Sequence, residues 1–101
     1  MSIYITQLIY IKAGEEAAFW LFEEKVIPII GHYNGKLLLR LRPQEEEVVE
    51  KTIEVPYEIH LVQFETEQDF RNFLMDEERK QFLHLKEQSI RSVILLKGEK
   101  L

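Results

Sequence analysis

The sequence has 101 residues, of which 46% are hydrophobic and 31% are charged, and its net charge is −5. These values are typical of an ordinary soluble globular protein with one domain, residues 1–101, and they exclude a disordered chain. The acidic excess argues against a nucleic-acid partner, because phosphate backbones repel a negatively charged surface.

The chain contains no cysteine. This excludes disulfides, thiolate metal sites and a cysteine nucleophile, and it is compatible with a reducing cytoplasm. The longest uninterrupted apolar run, residues 17–22, is far shorter than the roughly 20 residues of a membrane-spanning helix. The N-terminus also lacks the basic and apolar regions of a signal peptide. We therefore expect a cytoplasmic protein that has no membrane partner.

Residues 3–11 are almost continuously apolar, with only Thr6 and Gln7 interrupting the run. This pattern predicts a β-strand that is buried on both faces. Gly14 permits a turn after the strand, and the two glutamates that follow it suit the positive end of a helix.

A helical pattern begins after this turn. The side chains that form its apolar stripe are Ala18, Phe19, Phe22, Val26, Ile29, Ile30 and Tyr33. Their spacing predicts an amphipathic helix with Glu23 among the residues of its solvated side. Pro28 is expected to end the regular helix near Ile27, because proline has no N–H group and clashes with the preceding turn.

Two further strands are predicted by alternation. In residues 36–42, the leucines at 37, 39 and 41 share one face, and Leu38, Arg40 and Arg42 share the other. Residues 44–55 form a polar connection whose end runs in phase with the next strand. The residues expected on the helix side of that strand are Ile53, Val55, Tyr57, Ile59 and Leu61. Glu58 and His60 are then expected to face away from the helices.

The remaining elements are a second helix and a fourth strand. Thr66 and Asp69 form a start resembling a capping box, and a break is expected near Asp76. Residues 90–99 form the last strand, which ends at Gly98. The order β-α-β-β-α-β predicts an α+β ferredoxin-like sandwich, in which two helices cover one face of a four-stranded antiparallel sheet.

The other face of this sheet is expected to be apolar. The side chains assigned to it are Tyr4, Leu8, Tyr10, Leu38, Val62, Phe64, Val93 and Leu95. A patch of this size exceeds what a monomer usually exposes, and a second copy of the chain is the simplest cover. We therefore expect the protein itself as partner, in a homodimer that forms through this face.

This organisation resembles the dimeric α/β-barrel superfamily, which includes NIPSNAP-like proteins and antibiotic-biosynthesis-type monooxygenases. The resemblance is carried by the segments YIKAGEEAAFWLFEEKVIPII, YNGKLLLRLRP and FETEQDFRNFLMDEERKQF, which together cover most of the chain. It implies that two sheets enclose a barrel and that a small organic ligand binds between each sheet and its helices or within the cleft. These segments are fold motifs and contain no catalytic signature.

The candidate site residues lie on neighbouring strands. His60 and Glu58 are two residues apart on one strand, roughly 7 Å apart at the Cα atoms. Arg40, Arg42 and Arg91 are expected on the corresponding face of the second and fourth strands. Such a set can bind an anionic or phenolic molecule through the arginine forks, with His60 as a base. Alternatively, these charges pair with each other at the dimer interface.

Other candidates are weaker. His32 and His84 suit surface or boundary positions, and no pair of residues has the spacing of a metal site, so no metal is expected. Phe19 and Trp20 are expected in the core rather than in a ligand pocket. No phosphate loop or other cofactor motif is present, and we expect no cofactor.

Two functions are consistent with this sequence. The first is a small-molecule binding or assembly module without turnover. The second is a cofactor-independent monooxygenase or isomerase-like enzyme that acts on a small aromatic or acidic metabolite. In the enzyme, His60 is the catalytic residue, Arg40 anchors an anion, and Tyr4 or Tyr10 orients the ligand. Since no motif indicates chemistry, the first function is favoured.

Overall fold

The computed structural model describes residues 2–101 and contains one four-stranded antiparallel sheet. The strands and helices are β1 (Ile3–Ile11), α1 (Glu16–Val26), β2 (Gly35–Leu41), β3 (Glu58–Phe64), α2 (Glu67–Leu74), α3 (Glu77–Lys80), α4 (Leu83–Ser89) and β4 (Ile90–Gly98). The strand order is β2-β3-β1-β4, and the helices cover one face. The ferredoxin-like fold is therefore confirmed. Within residues 2–101, no helix has the length and apolar character that crossing a membrane requires.

The segment around α1 agrees closely with the prediction from the sequence. Gly14 turns the chain with a φ of 81°, in the left-handed region that favours glycine. The α-helix ends at Val26, and a 3₁₀ helix (Ile27–Tyr33) follows with Pro28 as its second residue, which agrees with the predicted end of the regular helix near Ile27. Asn34 then takes a left-handed conformation, with a φ of 56°, and leads into β2.

The second helical region is divided into α2, α3 and α4. The Thr66 side chain accepts a hydrogen bond of 3.0 Å from the backbone N–H of Asp69, which confirms the predicted cap. The expected break lies at Asp76, whose carboxylate caps α3 by accepting a 2.7 Å hydrogen bond from the N–H of Arg79. The chain therefore restarts its helix at this point.

The hydrophobic core lies between the sheet and the helices. Its buried members are Ile5, Phe22, Val26, Ile29, Ile30, Val62, Phe64, Phe70 and Phe73. The ring of Phe64 lies 5.4 Å from that of Phe70 and 5.6 Å from that of Phe73, measured between centroids. Each fully buried side chain of this size contributes about 1.5–3 kcal/mol. The core therefore fixes this end of β3 against the helices.

The faces of β3 are the reverse of the prediction. Ile5 pairs with Val62, and Gln7 pairs with His60, so the even-numbered residues of β3 point to the helices. Glu58 and His60 therefore lie inside the sandwich, and the expectation that they face away from the helices was wrong. The strand begins only at Glu58, so residues 53–57 belong to the preceding connection. Their apolar alternation therefore does not indicate which residues of β3 face the helices.

A bulge also changes the faces of β2. Leu37 pairs with Val62, but the next paired residue is Leu39, so one residue is extra at Leu38. Leu37 faces the helices, whereas Leu39 lies on the other face, and Arg40 pairs with His60 on the helix side. The prediction that residues 37, 39 and 41 share one face was therefore wrong.

The sheet face that carries no helices, here called the open face, is apolar. The side chains that the register places on it include Tyr4, Leu8, Leu39, Leu41, Ile59, Leu61, Ile94 and Leu96. Leu39 and Leu96 are 48% and 58% exposed. Four residues expected on this face, Val62, Phe64, Val93 and Leu95, instead share a face with helix-side residues of β1. The apolar character of the open face was predicted, but of the eight residues named here only Tyr4 and Leu8 were expected on it.

Candidate functional site

A buried carboxylate on β3 organises the polar groups between the sheet and the helices. Glu58 is 0% exposed, and its two oxygens accept hydrogen bonds of 2.8 Å from the Nε atoms of Arg40 and Arg42. The imidazole Nε2 of His60 also hydrogen bonds to Glu58, through the oxygen that Arg40 uses. The bulge in β2 takes up Leu38 as an extra residue, and Arg40 then pairs directly with His60.

These contacts determine the charge of Glu58. Burial by itself raises the pKa of its carboxyl, but the hydrogen bonds from His60, Arg40 and Arg42 outweigh that effect. The resulting pKa is about 2, so Glu58 is ionised at neutral pH. The two guanidinium groups carry two positive charges beside this single negative charge.

A second carboxylate approaches the same histidine from α1. The Oε2 atom of Glu23 lies 3.6 Å from Nε2 of His60, and Glu23 is only 6% exposed. Burial is the largest cause that raises its pKa to about 7, while the electrostatic interaction with His60 lowers the pKa. Its carboxyl therefore exchanges a proton near neutral pH.

Glu23 was expected on the solvated side of the helix, and that expectation was wrong. The residue lies four positions after Phe19 and three before Val26, both of which are buried. It therefore falls within the apolar stripe, because residues three and four apart lie on one helix face. A charged residue at a stripe position was the signal in the sequence. Together with Glu58, His60, Arg40 and Arg42, Glu23 forms what we call the buried cluster.

A small cavity lies on the inner side of the buried cluster. This inner cavity has a volume of about 60 Å³, and its wall includes Gln7, Glu23, His60 and Arg79. It has room for a few water molecules. Within residues 2–101, the Nε atom of Arg79 is buried and has no hydrogen-bond partner. The inner cavity thus brings together an acid, an imidazole and a free donor.

A larger depression lies on the outer side of the buried cluster. This outer hollow has a volume of about 350 Å³ and is lined by Arg40, Leu41, Arg42 and Glu58. Its volume is within the range of about 300–1,000 Å³ that is usual for small-molecule sites. His60 lines the inner cavity and Arg40 lines the outer hollow, so the two residues contact separate spaces, and Glu58 hydrogen bonds to both residues.

Two aromatic residues hold the guanidinium group of Arg42. Its central carbon lies 5.4 Å from the ring centroids of both Trp20 and Tyr57. The indole N–H of Trp20 donates a hydrogen bond of 2.8 Å to the hydroxyl of Tyr57. Phe19 is buried in the core as expected, but Trp20 is 47% exposed, so the expectation of a core position was wrong for Trp20.

Three predicted ligand-binding residues are separated from His60 by the sheet. Tyr4 and Tyr10 alternate with the helix-side residues of β1 and therefore lie on its other face. Arg91 stacks on the ring of Tyr10 at 5.6 Å and forms an ion pair with Glu54 at 2.7 Å. The expected placement of Arg91 beside His60 was wrong, because the pairing of β1 with β4 shifts by one residue between Tyr10 and Ile11.

The buried cluster also has residue types that bind metals. Glu23, Glu58 and His60 offer three ligand atoms that lie within 4.8 Å of one another. However, both oxygens of Glu58 already accept hydrogen bonds from guanidinium groups, whose positive charges oppose a bound cation. The geometry fits a hydrogen-bonded ion cluster better than a metal site, and the absence of a metal stays a prediction.

Solved structures of other proteins share this arrangement of strands and helices. A NIPSNAP-family protein of unknown function from Agrobacterium tumefaciens is 18% identical and superposes with a TM-score of 0.69, covering 96% of this chain and 86% of that chain. This chain has a NIPSNAP-like fold. A protein of unknown function from Rhodopseudomonas palustris has a TM-score of 0.83 at 9% identity, covering 99% and 82% of the two chains.

A third similar structure bears on assembly. It is a dimeric protein of unknown function with a ferredoxin-like fold from Bacteroides fragilis, with a TM-score of 0.72 at 9% identity, and the match covers 98% of this chain and 96% of that chain. No protein-family model matches the sequence, and the comparison with curated proteins gives no match. At these identities the similarity establishes the fold and leaves the activity to be argued from the site.

Proposed function

We propose that this protein is a small-molecule-binding homodimer of the cytoplasm whose ligand occupies the outer hollow beside Arg40 and Glu58. The observation that carries the proposal is a pair of guanidinium groups held on one fully buried carboxylate, at the wall of a hollow of about 350 Å³. Fixed donors beside a space of that size are the usual features of a ligand site. Binding alone needs no catalytic group, and this agrees with the absence of a catalytic motif.

A thermal-shift screen tests the binding proposal. We expect at least one compound from a panel of neutral and anionic metabolites to raise the melting temperature of the wild-type protein. Arg40→Ala should lose this shift, because it removes one wall of the outer hollow. Arg91→Ala is the matched control, since Arg91 is an exposed arginine that pairs with Glu54 on the other side of the sheet. A shift that persists in Arg40→Ala would contradict the proposed location.

The homodimer rests on the open face. Leu39 and Leu96 lie at opposite edges of the sheet and are about half exposed, and the register places Leu61 and Thr6 between them. A contiguous apolar surface of this kind is usually covered, and a two-fold arrangement of identical sheets covers it with the same residues on both sides. A protein from Bacteroides fragilis that shares the fold is described as dimeric, which supports a dimer here as well.

Light scattering tests the dimer. We expect a mass of twice 12.1 kDa at micromolar concentration, and a mass of 12.1 kDa for the double variant Leu39→Glu with Leu96→Glu. Met75→Glu is the control, because Met75 is 63% exposed and follows α2 on the helical side. A wild-type mass of 12.1 kDa would contradict the homodimer.

A second candidate function is supported by the inner cavity. Glu23 has a pKa of about 7 and lies beside His60, which is the arrangement that general acid–base catalysis requires near neutral pH. We therefore keep as the alternative a cofactor-independent enzyme of the isomerase or monooxygenase type, the latter with dioxygen as oxidant. In such an enzyme, a small aromatic or acidic substrate occupies the outer hollow, and His60 or Glu23 accepts its proton by way of Glu58, which lines the hollow and hydrogen bonds to His60.

Turnover distinguishes the two candidates. Compounds that bind in the screen are incubated with the protein in D₂O and followed by NMR, and oxygen uptake is recorded in parallel. An enzyme exchanges a substrate proton for deuterium or consumes oxygen, and both Glu23→Gln and His60→Ala should slow that reaction at least tenfold. Binding without deuterium incorporation, product or oxygen uptake would reject the enzyme and leave the binding protein.

A further inference from the structure

The donors of the outer hollow are only partly used by the protein. Within residues 2–101, the side-chain hydrogen bonds of Arg40 and Arg42 are those from their Nε atoms to Glu58. A guanidinium group has five N–H donors, so each arginine keeps the four on its two terminal nitrogens for another acceptor. These terminal groups belong to the residues that line the outer hollow.

The charge of the outer hollow is positive although the whole chain carries a net charge of −5. Among the residues that line the hollow, two guanidinium groups face one ionised carboxylate, and this leaves a surplus of one positive charge. The arginines are also held in place: Glu58 fixes both Nε atoms, and Trp20 and Tyr57 enclose the guanidinium group of Arg42. A donor pair that is already ordered loses less entropy when a ligand binds.

From this geometry we infer that the outer hollow binds a small molecule through its carboxylate group, which accepts hydrogen bonds from the terminal nitrogens of Arg40 and Arg42. The inference rests on the proposed function and specifies its ligand class. A carboxylate matches the planar guanidinium fork, and its single negative charge equals the surplus charge. The hollow of about 350 Å³ accommodates a small organic acid, whereas the inner cavity of about 60 Å³ does not.

Benzoate, succinate and inorganic phosphate are suitable probes, with benzamide as the neutral analogue of benzoate. Titrations use the whole wild-type protein at constant ionic strength, and ¹H–¹⁵N NMR follows the guanidinium signals of Arg40 and Arg42. We expect benzoate or succinate to shift these signals, and benzoate to bind at least tenfold more tightly than benzamide. Phosphate binding in the absence of carboxylate binding, or equal affinity for benzoate and benzamide, would overturn the carboxylate assignment.

Two arginine variants test whether the carboxylate binds in the outer hollow. Arg42→Lys keeps the positive charge but removes the fork, so it should weaken benzoate or succinate binding at least tenfold, and Arg91→Lys should leave it unchanged. Equal weakening in both variants would overturn the site. Because the wild-type titration reads the arginines directly, the result does not depend on how well Arg42→Lys folds. If a neutral compound binds to the wild-type protein but not to Arg40→Ala, and no carboxylate binds, the proposed function stands and this inference is wrong.

Discussion

Replacing Glu23 with glutamine should make the stability of the protein less dependent on pH. The Glu23 carboxyl has a pKa of about 7 in the folded protein against an ordinary value of 4.5. A raised pKa in the folded state means that stabilisation is fully present below pH 4.5 and is lost as the pH rises through 7. Because each tenfold change in proton affinity is worth about 1.4 kcal/mol, this difference corresponds to about 3 kcal/mol.

Glutamine imitates the protonated carboxyl and cannot ionise. The free energy of unfolding of Glu23→Gln, relative to wild type, should therefore increase between pH 4.5 and pH 8 by about 3 kcal/mol. Any constant effect of the amide cancels in this comparison. Urea denaturation followed by circular dichroism measures it, at one protein concentration because the stability of the proposed dimer would depend on concentration.

Glu24→Gln is the matched control for this experiment. Glu24 is the next residue on α1 and is exposed, so its replacement should produce the same difference from wild type at both pH values. If the difference between Glu23→Gln and wild type is also independent of pH, the carboxyl of Glu23 does not change ionisation in a buried position. The description of the inner cavity as a proton-exchanging site would then be refuted.

Three further predictions concern the elements that build the site. Glu58→Gln should destabilise the protein by about 3–5 kcal/mol in urea denaturation at pH 7, because it leaves two guanidinium groups without their ionised partner; an unchanged midpoint would contradict this. Gly35→Ala should cost about 1–3 kcal/mol in the same assay, because a Cβ there lies 2.6 Å from Ile30 and Phe64 atoms, whereas Gly98→Ala meets open space and should have no effect. Deleting Leu38 should preserve the Arg40 and Arg42 contacts in a crystal structure, because it removes only the extra residue of the bulge; loss of both contacts would show that the bulge itself positions them.

The elements could be predicted from the sequence because their signals are local. Proline disrupts the interior of an α-helix in any context, and α1 ends just before Pro28. Thr66 caps α2 by accepting a hydrogen bond from the backbone N–H of Asp69, which is three residues away. The faces of the strands were harder, since they depend on where pairing begins. The apolar residues before Glu58 continue the alternation of β3 in the sequence, but the chain there is not paired as part of the strand.

The grouping of the site residues was predicted better than their surroundings. Arg40, Arg42, Glu58 and His60 were expected on one face and do lie on one face, although it is the helix side. Paired residues on adjacent strands always share a face of the sheet. The prediction that these four residues lie together was therefore correct even though the face itself was assigned wrongly. Arg91 does not lie with these residues, because the pairing of β1 with β4 shifts by one residue and changes the face on which Arg91 lies. No residue type in the sequence indicates this shift.

The placement of the buried cluster on the helix side has a physical consequence for function. On the open face, a second copy would cover these charges, and they would pair across the dimer axis. Between the sheet and the helices, Glu58 is instead neutralised within one chain, by Arg40 and Arg42. Each chain can then carry its own site, and the open face does not have to accommodate the charges of the buried cluster. The two features that the proposed function requires, a dimer surface and a charged ligand site, are therefore compatible because β2 and β3 present them on opposite faces.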